Sequence, residues 1–163
     1  MKGNSAGTSR VPDCAGRRFA IVAARFYPEI AEQLLKGAKE ALRACNVADD
    51  HVGVYDVPGC FEIPVACRNL IDAERFDAVI ALGAVVQGET PHFDFVAGEC
   101  ARGIMDVALA TGVPIGFGIL TTQNLAQAEE RADPKRGNKG YAAALAAAAL
   151  LNVNSNISRA GFR

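Results

Sequence analysis

The chain has 163 residues, 50% of them hydrophobic, and its formal net charge at pH 7 is −1. This composition excludes a disordered protein, an acidic tail and the strongly basic surface that is typical of nucleic-acid binding. No apolar run approaches the roughly 20 residues of a membrane-spanning helix, and residues 1–16 lack the apolar segment of a secretory signal. We therefore expect one domain of ordinary size, with no nucleic-acid partner and no membrane partner.

Strand-like and helix-like segments alternate along the chain. Short apolar runs predict four strands, at residues 18–24, 51–57, 77–84 and 113–120. Helical spacing predicts a helix after each strand, beginning near residues 28, 62, 92 and 123, and a last Ala-rich helix over residues 139–151. Pro28 suits a first helical turn, Gly112 suits a left-handed cap, and Thr121 and Thr122 are candidate N-caps.

This order of elements predicts an α/β fold, with helices covering both faces of a parallel sheet. We expect a single domain over residues 18–151, between a flexible N-terminal tail of residues 1–17 and a C-terminal tail of residues 152–163. The narrow sheet and the small residues of the last helix favour a homo-oligomer.

The cysteines indicate a reducing environment. Their number is odd, they are widely spaced, and none forms the Cys-x-x-Cys pair of a zinc site or redox motif. We expect reduced, buried thiols in a cytoplasmic protein. The cysteines are Cys14, Cys45, Cys60, Cys67 and Cys100.

Ligands of open parallel sheets bind beyond the carboxyl ends of the strands. In this chain those ends carry Phe26, residues 59–62, residues 83–92 and residues 120–122. They bring together aromatic rings, a carboxylate, a histidine and backbone amides. Such a set suits a planar polar ring that stacks on an aromatic side chain while amides contact its edges.

His92 has two interpretations. It is either a helix-start residue bonded to a nearby carbonyl, or a general acid and base, because histidine side chains in general exchange protons near neutral pH. Its place after a central strand, behind Gly88 and Pro91, favours the second interpretation. His51 opens the second strand at the opposite end of the sheet, and we interpret it as structural.

The candidate phosphate-binding residues also have two interpretations each. Residues 88–90 either offer amides and a hydroxyl to an anion at a helix start or form an ordinary tight turn. Arg131 and Lys139 either supply positive charge to a site or are solvated cations at helix ends. Gly116-Phe117-Gly118 lies in a strand, so it is not a dinucleotide fingerprint, and no Walker loop, Gly-x-Ser-x-Gly elbow or metal-spaced cluster is present.

Six segments together identify a family. Read as linked blocks in family order, they closely resemble lumazine synthases over nearly all of residues 18–151. The segments are ARFYPEI (residues 24–30), PGCFEIP (58–64), GAVVQGETPHFDFV (83–96), FGILTT (117–122), AEERA (128–132) and GNKG (137–140).

The resemblance implies a three-layer α/β/α, flavodoxin-like fold on a four-stranded parallel sheet. It also implies a transferase-type enzyme of riboflavin biosynthesis, without cofactor or metal. The reaction condenses 5-amino-6-(D-ribitylamino)uracil with 3,4-dihydroxy-2-butanone 4-phosphate to 6,7-dimethyl-8-ribityllumazine, phosphate and water. The implied assembly is a pentamer with active sites between subunits. Because the turn before Gly137 lacks an insertion, we expect a shell of sixty subunits, with riboflavin synthase as a partner.

The resemblance also assigns roles to single residues. His92 matches the catalytic proton shuttle, and Lys139 matches an accessory lysine. Positions that match the pyrimidine and ribityl contacts are Phe26, Cys60, Phe61, Glu62, Ala84, Val85, Val86 and, from a neighbouring subunit, Phe117. Positions that match the phosphate contacts are Glu89, Thr90 and, again from the neighbouring subunit, Arg131.

Some positions depart from the family pattern. Gln87 stands where many members have a basic residue, Tyr27 replaces a frequent asparagine, Cys60 replaces a frequent alanine, and Asp133-Pro134 replaces a common Gly-Thr. The alternative function is a flavin- or lumazine-binding shell protein with weak or no catalysis. The presence of both His92 and Arg131 favours the enzyme.

Overall fold

The computed structural model describes residues 10–73 and 75–161. The strands are β1 (Phe19–Ala24), β2 (Val52–Val57), β3 (Ala78–Val86) and β4 (Ile115–Thr122). The helices are α1 (Pro28–Ala44), α2 (Ile63–Asp72), α3 (His92–Thr111), α4 (Leu125–Ala132) and α5 (Lys139–Arg159), with short 3-10 turns at Asp49–His51 and Cys60–Glu62. Within the described residues, none of the helices combines the length and apolar character needed to cross a membrane.

The four strands form one parallel sheet in the order β2-β1-β3-β4. The predicted α/β class and four-stranded parallel sheet are therefore confirmed, and the order is that of flavodoxin-like sheets. Because β1 lies between β2 and β3, the loops that follow these three strands meet at one edge. β4 lies on the far side of β3, so the segment after it belongs to another part of that edge.

Hydrophobic side chains fill both faces of the sheet and produce three layers. On one face, α1, α4 and α5 pack over Phe19, Ile21 and Ile80. On the other face, α2 and α3 pack over Val22 and Val79. Alternate residues of a strand point to opposite faces, so β1 and the buried part of β3, residues 78–84, are apolar at successive positions.

Helix α5 packs at backbone distance against its neighbours. A Cβ atom at Gly140 would lie 2.0 Å from the backbone oxygen of Leu34 in α1. A Cβ atom at Gly116 in β4 would lie 2.2 Å from the backbone oxygen of Ala143 in α5. Only glycine fits at such approaches. They hold β4 and the start of α5 in a fixed relation, and residues of both elements line one cavity.

Several local predictions are confirmed. Pro28 occupies the first turn of α1, and Gly112 ends α3 in the left-handed conformation with a φ of 70°. Among the described residues all cysteines are buried and unpaired, as expected. His51 is structural, since its Nδ1 lies 3.3 Å from the backbone oxygen of Arg17 at the amino end of the sheet.

The predicted N-caps of α4 are wrong. Thr122 is the buried last residue of β4, and its hydroxyl donates to the backbone oxygen of Asn124 at 2.9 Å. Asn124 is the N-cap, because its side chain accepts the backbone N–H of Gln127 at 2.9 Å. The prediction failed because β3 and β4 are both two residues longer than expected at this end and pair as far as Val86 and Thr122.

The segments interpreted as tails are partly ordered elements. Helix α5 continues to Arg159, beyond its predicted end at residue 151. At the other end, Cys14 is buried, and its backbone N–H donates to the backbone oxygen of Cys45 at 2.8 Å. Residues 10–17 therefore contact the end of α1, whereas residues 1–9 of the predicted N-terminal tail lie outside the described residues.

Candidate active site

A cavity of about 600 Å³ lies beyond the carboxyl ends of β2, β1 and β3. We call it the aromatic cavity. Its position confirms that the loops after the first three strands meet, and this follows from the strand order. The lining residues are Phe26, Tyr27, Pro58, Gly59, Cys60, Phe61, Glu62, Ala84, Val85, Val86, Gly88, Thr90, His92, Phe93, Phe95 and Val96.

Two exposed aromatic rings stand at the mouth of the aromatic cavity. Phe26 follows β1 and is 71% exposed, and Phe61 follows β2 and is 62% exposed. Exposure of large apolar rings is unfavourable unless something covers them. The ring of Tyr27 meets that of Phe26 edge-on, with centroids 5.0 Å apart and planes at 70°. This arrangement leaves a face of Phe26 available to a planar ligand.

The segment after β2 places a carboxylate and a thiol in the wall. The Oε2 of Glu62 accepts the backbone N–H of Gly59 at 3.1 Å, which fixes the side chain at the cavity. Cys60 is buried behind it. The hydrogen bond to Cys100, together with burial, raises the pKa of the Cys60 thiol above its ordinary value. Cys60 is therefore a neutral thiol and is poorly suited to be a nucleophile.

The end of β3 supplies backbone groups. β1 pairs with β3 only as far as Ala23 and Leu82, whereas β4 pairs with β3 through Val86. Residues 83–86 therefore extend past β1, and their backbone edge on that side has no partner strand. Ala84, Val85 and Val86 line the aromatic cavity at this overhang. Backbone groups that no strand pairs with can bind the polar edge of a ligand there, as a paired strand would.

His92 is the first residue of α3 and lines the same cavity. Its backbone N–H lies 3.4 Å from the Oγ1 of Thr90, which therefore orders the loop ahead of the helix. Within the described chain, the His92 ring has no hydrogen-bond partner, so the interpretation as a ring bonded to a carbonyl is not supported. Glu89 is exposed between Gly88 and Thr90, both of which line the cavity.

A second cavity, of about 500 Å³, lies along β4 and α5. We call it the cationic cavity, since Arg131 and Lys139 both line it beside Phe117. Arg131 is exposed and donates from NH1 to the backbone oxygen of Gln127 at 3.3 Å. The turn between the two cations is closed by the backbone N–H of Gly137, which donates to the oxygen of Glu130 at 3.0 Å.

The two cavities have no lining residue in common. No lysine or arginine of the described chain lines the aromatic cavity, and the cationic cavity contains neither His92 nor Phe26. Glu89 lines neither cavity, and the structure groups the other predicted site residues into two sets. Residues 120 and 121 lie near the end of β4. They line the cationic cavity and not the aromatic cavity, where the loops after the first three strands meet. Gln87 lines a separate groove with residues 121–123.

Some lining residues were not predicted from the sequence. Phe93, Phe95 and Val96 lie on the first turns of α3 and face the aromatic cavity. Phe93 and Val96 have the spacing of an apolar stripe on this helix, and that spacing by itself indicates packing against the sheet. Phe95 could have been identified from the sequence because it is a phenylalanine outside that stripe. In the structure its side chain is 68% exposed.

Within residues 10–73 and 75–161, no three metal-binding side chains cluster together. The side chains that line the aromatic cavity can orient a ligand, form hydrogen bonds and transfer protons. An imidazole that has no hydrogen-bond partner in the described chain, beside the unpaired edge of residues 83–86, suits a reaction between two bound substrates.

Comparisons with known proteins identify the family of this chain. Residues 16–155 match the family described as 6,7-dimethyl-8-ribityllumazine synthase. A 6,7-dimethyl-8-ribityllumazine synthase of Chlorobium luteolum (strain DSM 273 / BCRC 81028 / 2530) is 45% identical over 140 residues, which cover 86% of this chain and 90% of the relative. One of Desulfatibacillum aliphaticivorans is 46% identical over 138 residues, 85% and 89% of the two chains. The chain belongs to the 6,7-dimethyl-8-ribityllumazine synthase family.

Proposed function

We propose that this chain catalyses the family's reaction and that the aromatic cavity holds its pyrimidine substrate. The reaction condenses 5-amino-6-(D-ribitylamino)uracil with 3,4-dihydroxy-2-butanone 4-phosphate and releases phosphate and water. The amine attacks the ketone to form an imine, phosphate is eliminated, and ring closure with loss of water gives the lumazine. The family match and the two relatives support this activity over the non-catalytic binding protein.

The shape of the aromatic cavity supports the pyrimidine assignment. A uracil ring can lie against the open face of Phe26, with its polar edge at the overhang of residues 83–86. Glu62 and Phe61, which follow β2, are placed to contact the ribityl chain. Cys60 contributes a neutral wall to this half of the site.

The proposed role of His92 is proton transfer. Amine addition, phosphate elimination and ring closure each require a proton to move, whereas the substrates supply the nucleophile and the leaving group themselves. An imidazole that has no competing hydrogen bond can serve all these steps in turn. Thr90 orders its loop, and the amides of residues 88–90 are placed to receive the phosphate.

One observation carries the proposal that the site is shared between subunits. The cations needed for a phosphate group lie in the cationic cavity, and the ring platform and His92 lie in the aromatic cavity. Phosphate binding by arginine relies on direct hydrogen bonds. Completion of the site therefore requires Arg131, Phe117 and the accessory Lys139 of one subunit to meet the aromatic cavity of the next.

The surface of α3 supports an oligomer. Met105 and Leu109 are 58% and 76% exposed on this helix, in addition to Phe95 at the cavity. Large apolar side chains on one exposed helix are typical of a subunit interface. We propose the pentamer and the shell of sixty subunits on the family resemblance, with riboflavin synthase as a partner and the cytoplasm as the location.

The turn that replaces the common Gly-Thr is ordered by hydrogen bonds of its own residues. The carboxylate of Asp133 accepts the backbone N–H of Lys135 and the Nε of Arg136, each at 2.9 Å. These hydrogen bonds lower the pKa of Asp133 below its ordinary value, the one from the Lys135 backbone having the larger effect. Pro134 therefore lies in a turn that is closed by its own contacts.

Subunit mixing tests the shared site. We expect the double variants Phe26→Ala/His92→Ala and Phe117→Ala/Arg131→Ala to be nearly inactive alone, because each removes two groups from every site. When the two are unfolded together and reassembled, about a quarter of the sites should combine two intact halves. Steady-state turnover of the mixture should then reach about a quarter of the wild-type value.

The control mixes two single variants damaged in the same cavity, Phe26→Ala and His92→Ala. Every site in that mixture keeps one defect, so its turnover should equal the average of the two components. If the mixture of double variants also stays at the average of its components, the active site is contained within one chain.

A further inference from the structure

Arg25 joins three segments of the chain at the edge of the aromatic cavity. Its Nε donates to the Oδ1 of Asp56 in β2 at 2.7 Å, and its NH1 pairs with Glu32 in α1. Its backbone N–H donates to the backbone oxygen of Val57 at 2.9 Å. Arg25 is absent from the cavity lining, yet it immediately precedes Phe26.

These contacts join the segments that carry Phe26 and Phe61. Asp56 lies two residues before Pro58, where the segment with Phe61 begins, and Glu32 lies just after the first turn of α1, which follows Phe26. β2 is an edge strand with β1 as its only neighbour in the described sheet. The Phe26 loop and the Phe61 loop are already joined by the backbone hydrogen bond from Arg25 to Val57. The Arg25 side chain adds a second link between them.

We propose that Arg25 is a positioning residue that sets the separation of the Phe26 and Phe61 loops and thereby the affinity for the pyrimidine substrate. This inference rests on the proposed function of the aromatic cavity. A guanidinium has the geometry for the task, since its rigid fork can bind two carboxylates in different directions at once. A lysine ammonium on a flexible stem cannot reproduce that arrangement.

The exposure of the network separates this role from a purely structural one. The Arg25, Glu32 and Asp56 side chains are 26%, 65% and 56% exposed. Ion pairs of this kind contribute little to overall stability. Loss of Arg25 should therefore shift Tm by less than about 4 °C in a domain of this size, whereas a small displacement of a substrate platform has a large effect on binding.

The test measures the Kd of 5-amino-6-(D-ribitylamino)uracil alone by calorimetry, together with steady-state kinetics and Tm. Arg25→Ala should raise this Kd and the KM for the pyrimidine roughly tenfold, with kcat within about twofold of wild type. Arg25→Lys should recover only part of the affinity. Asp56→Asn, which keeps the arginine and removes one carboxylate, should raise Kd in the same direction and provides a second route if Arg25→Ala does not fold.

Arg43→Ala is the matched control. Arg43 lies at the other end of α1, and its Nε donates to Asp49 Oδ1 at 2.9 Å in a comparable exposed ion pair. Its loss should leave the Kd unchanged. If the wild-type protein binds no pyrimidine, the proposed function fails. If the wild-type protein binds it and both Arg25→Ala and Asp56→Asn bind equally well, only the inference about Arg25 is overturned.

Discussion

Replacement of His92 with alanine is expected to lower kcat by about 10²-fold, with both KM values nearly unchanged. The imidazole lines the aromatic cavity without a hydrogen-bond partner in the described chain, and we assign it every proton transfer of the reaction. Turnover should not vanish, because holding the amine and the ketone together supplies much of the acceleration. The measurement is steady-state kinetics, with product followed by its absorbance.

His51→Ala is the control for this variant. His51 is the other histidine of the chain, and its ring contacts the Arg17 backbone at the opposite end of the sheet. Its loss should leave kcat unchanged. Wild-type turnover in His92→Ala would remove His92 from the mechanism, whatever the result for His51.

Replacement of Arg131 with alanine is expected to raise the KM for the phosphorylated ketone roughly 30-fold. This corresponds to about 2 kcal/mol, the range of a hydrogen bond to a charged group. The KM for the pyrimidine should change little, because we assign Arg131 to the phosphate group, which the pyrimidine substrate lacks. Arg131→Lys should recover part of the loss, since a lysine retains the charge but loses the paired donors of the guanidinium. Both KM values are measured by varying one substrate at saturating levels of the other.

Arg136→Ala provides the matched control. Arg136 is an exposed arginine on the turn that follows α4. Its Nε donates to the carboxylate of Asp133, and it does not line the cationic cavity. It should have no effect on either KM. An unchanged KM for the ketone in Arg131→Ala would show that the phosphate is bound elsewhere.

Local sequence patterns were sufficient for the elements that carry the site. Pro28 and Gly112 mark their helix ends through backbone constraints that act within a few residues. The apolar run before Gly83 predicts a buried central strand, and His92 begins the following helix as expected. These features depend on neighbours in sequence, so they can be predicted without knowing the tertiary structure.

Long-range pairing accounts for the errors. The last residues of β3 and β4 are strand only because Val86 pairs with Thr122, and no local pattern encodes that contact. The same extension moved the N-cap of α4 from the predicted threonines to Asn124. Helix α5 continues past residue 151 although its last residues are mostly polar. One face of the helix packs on the domain, where Leu151 is buried, and polar side chains are tolerated on the other face.

The division of the candidate residues into two cavities also required the strand order. The sequence places Phe26 and His92 after strands, Phe117 within a strand and Arg131 on a helix. The sheet order decides which of these segments meet. With β1 between β2 and β3, three loops form the aromatic cavity, and β4 carries its residues to the cationic cavity. The network of Arg25 was not anticipated either, because Asp56 and Glu32 come close to it only in the folded chain.

The most direct test of the central claim mixes the purified protein with 5-amino-6-(D-ribitylamino)uracil and 3,4-dihydroxy-2-butanone 4-phosphate. Formation of 6,7-dimethyl-8-ribityllumazine is then followed by absorbance against the uncatalysed condensation. We expect a marked acceleration that depends on protein concentration and is nearly lost in the Phe117→Ala/Arg131→Ala variant. A rate no greater than that of the uncatalysed reaction, from protein that binds lumazine or flavin, would contradict the enzyme and support the non-catalytic binding protein.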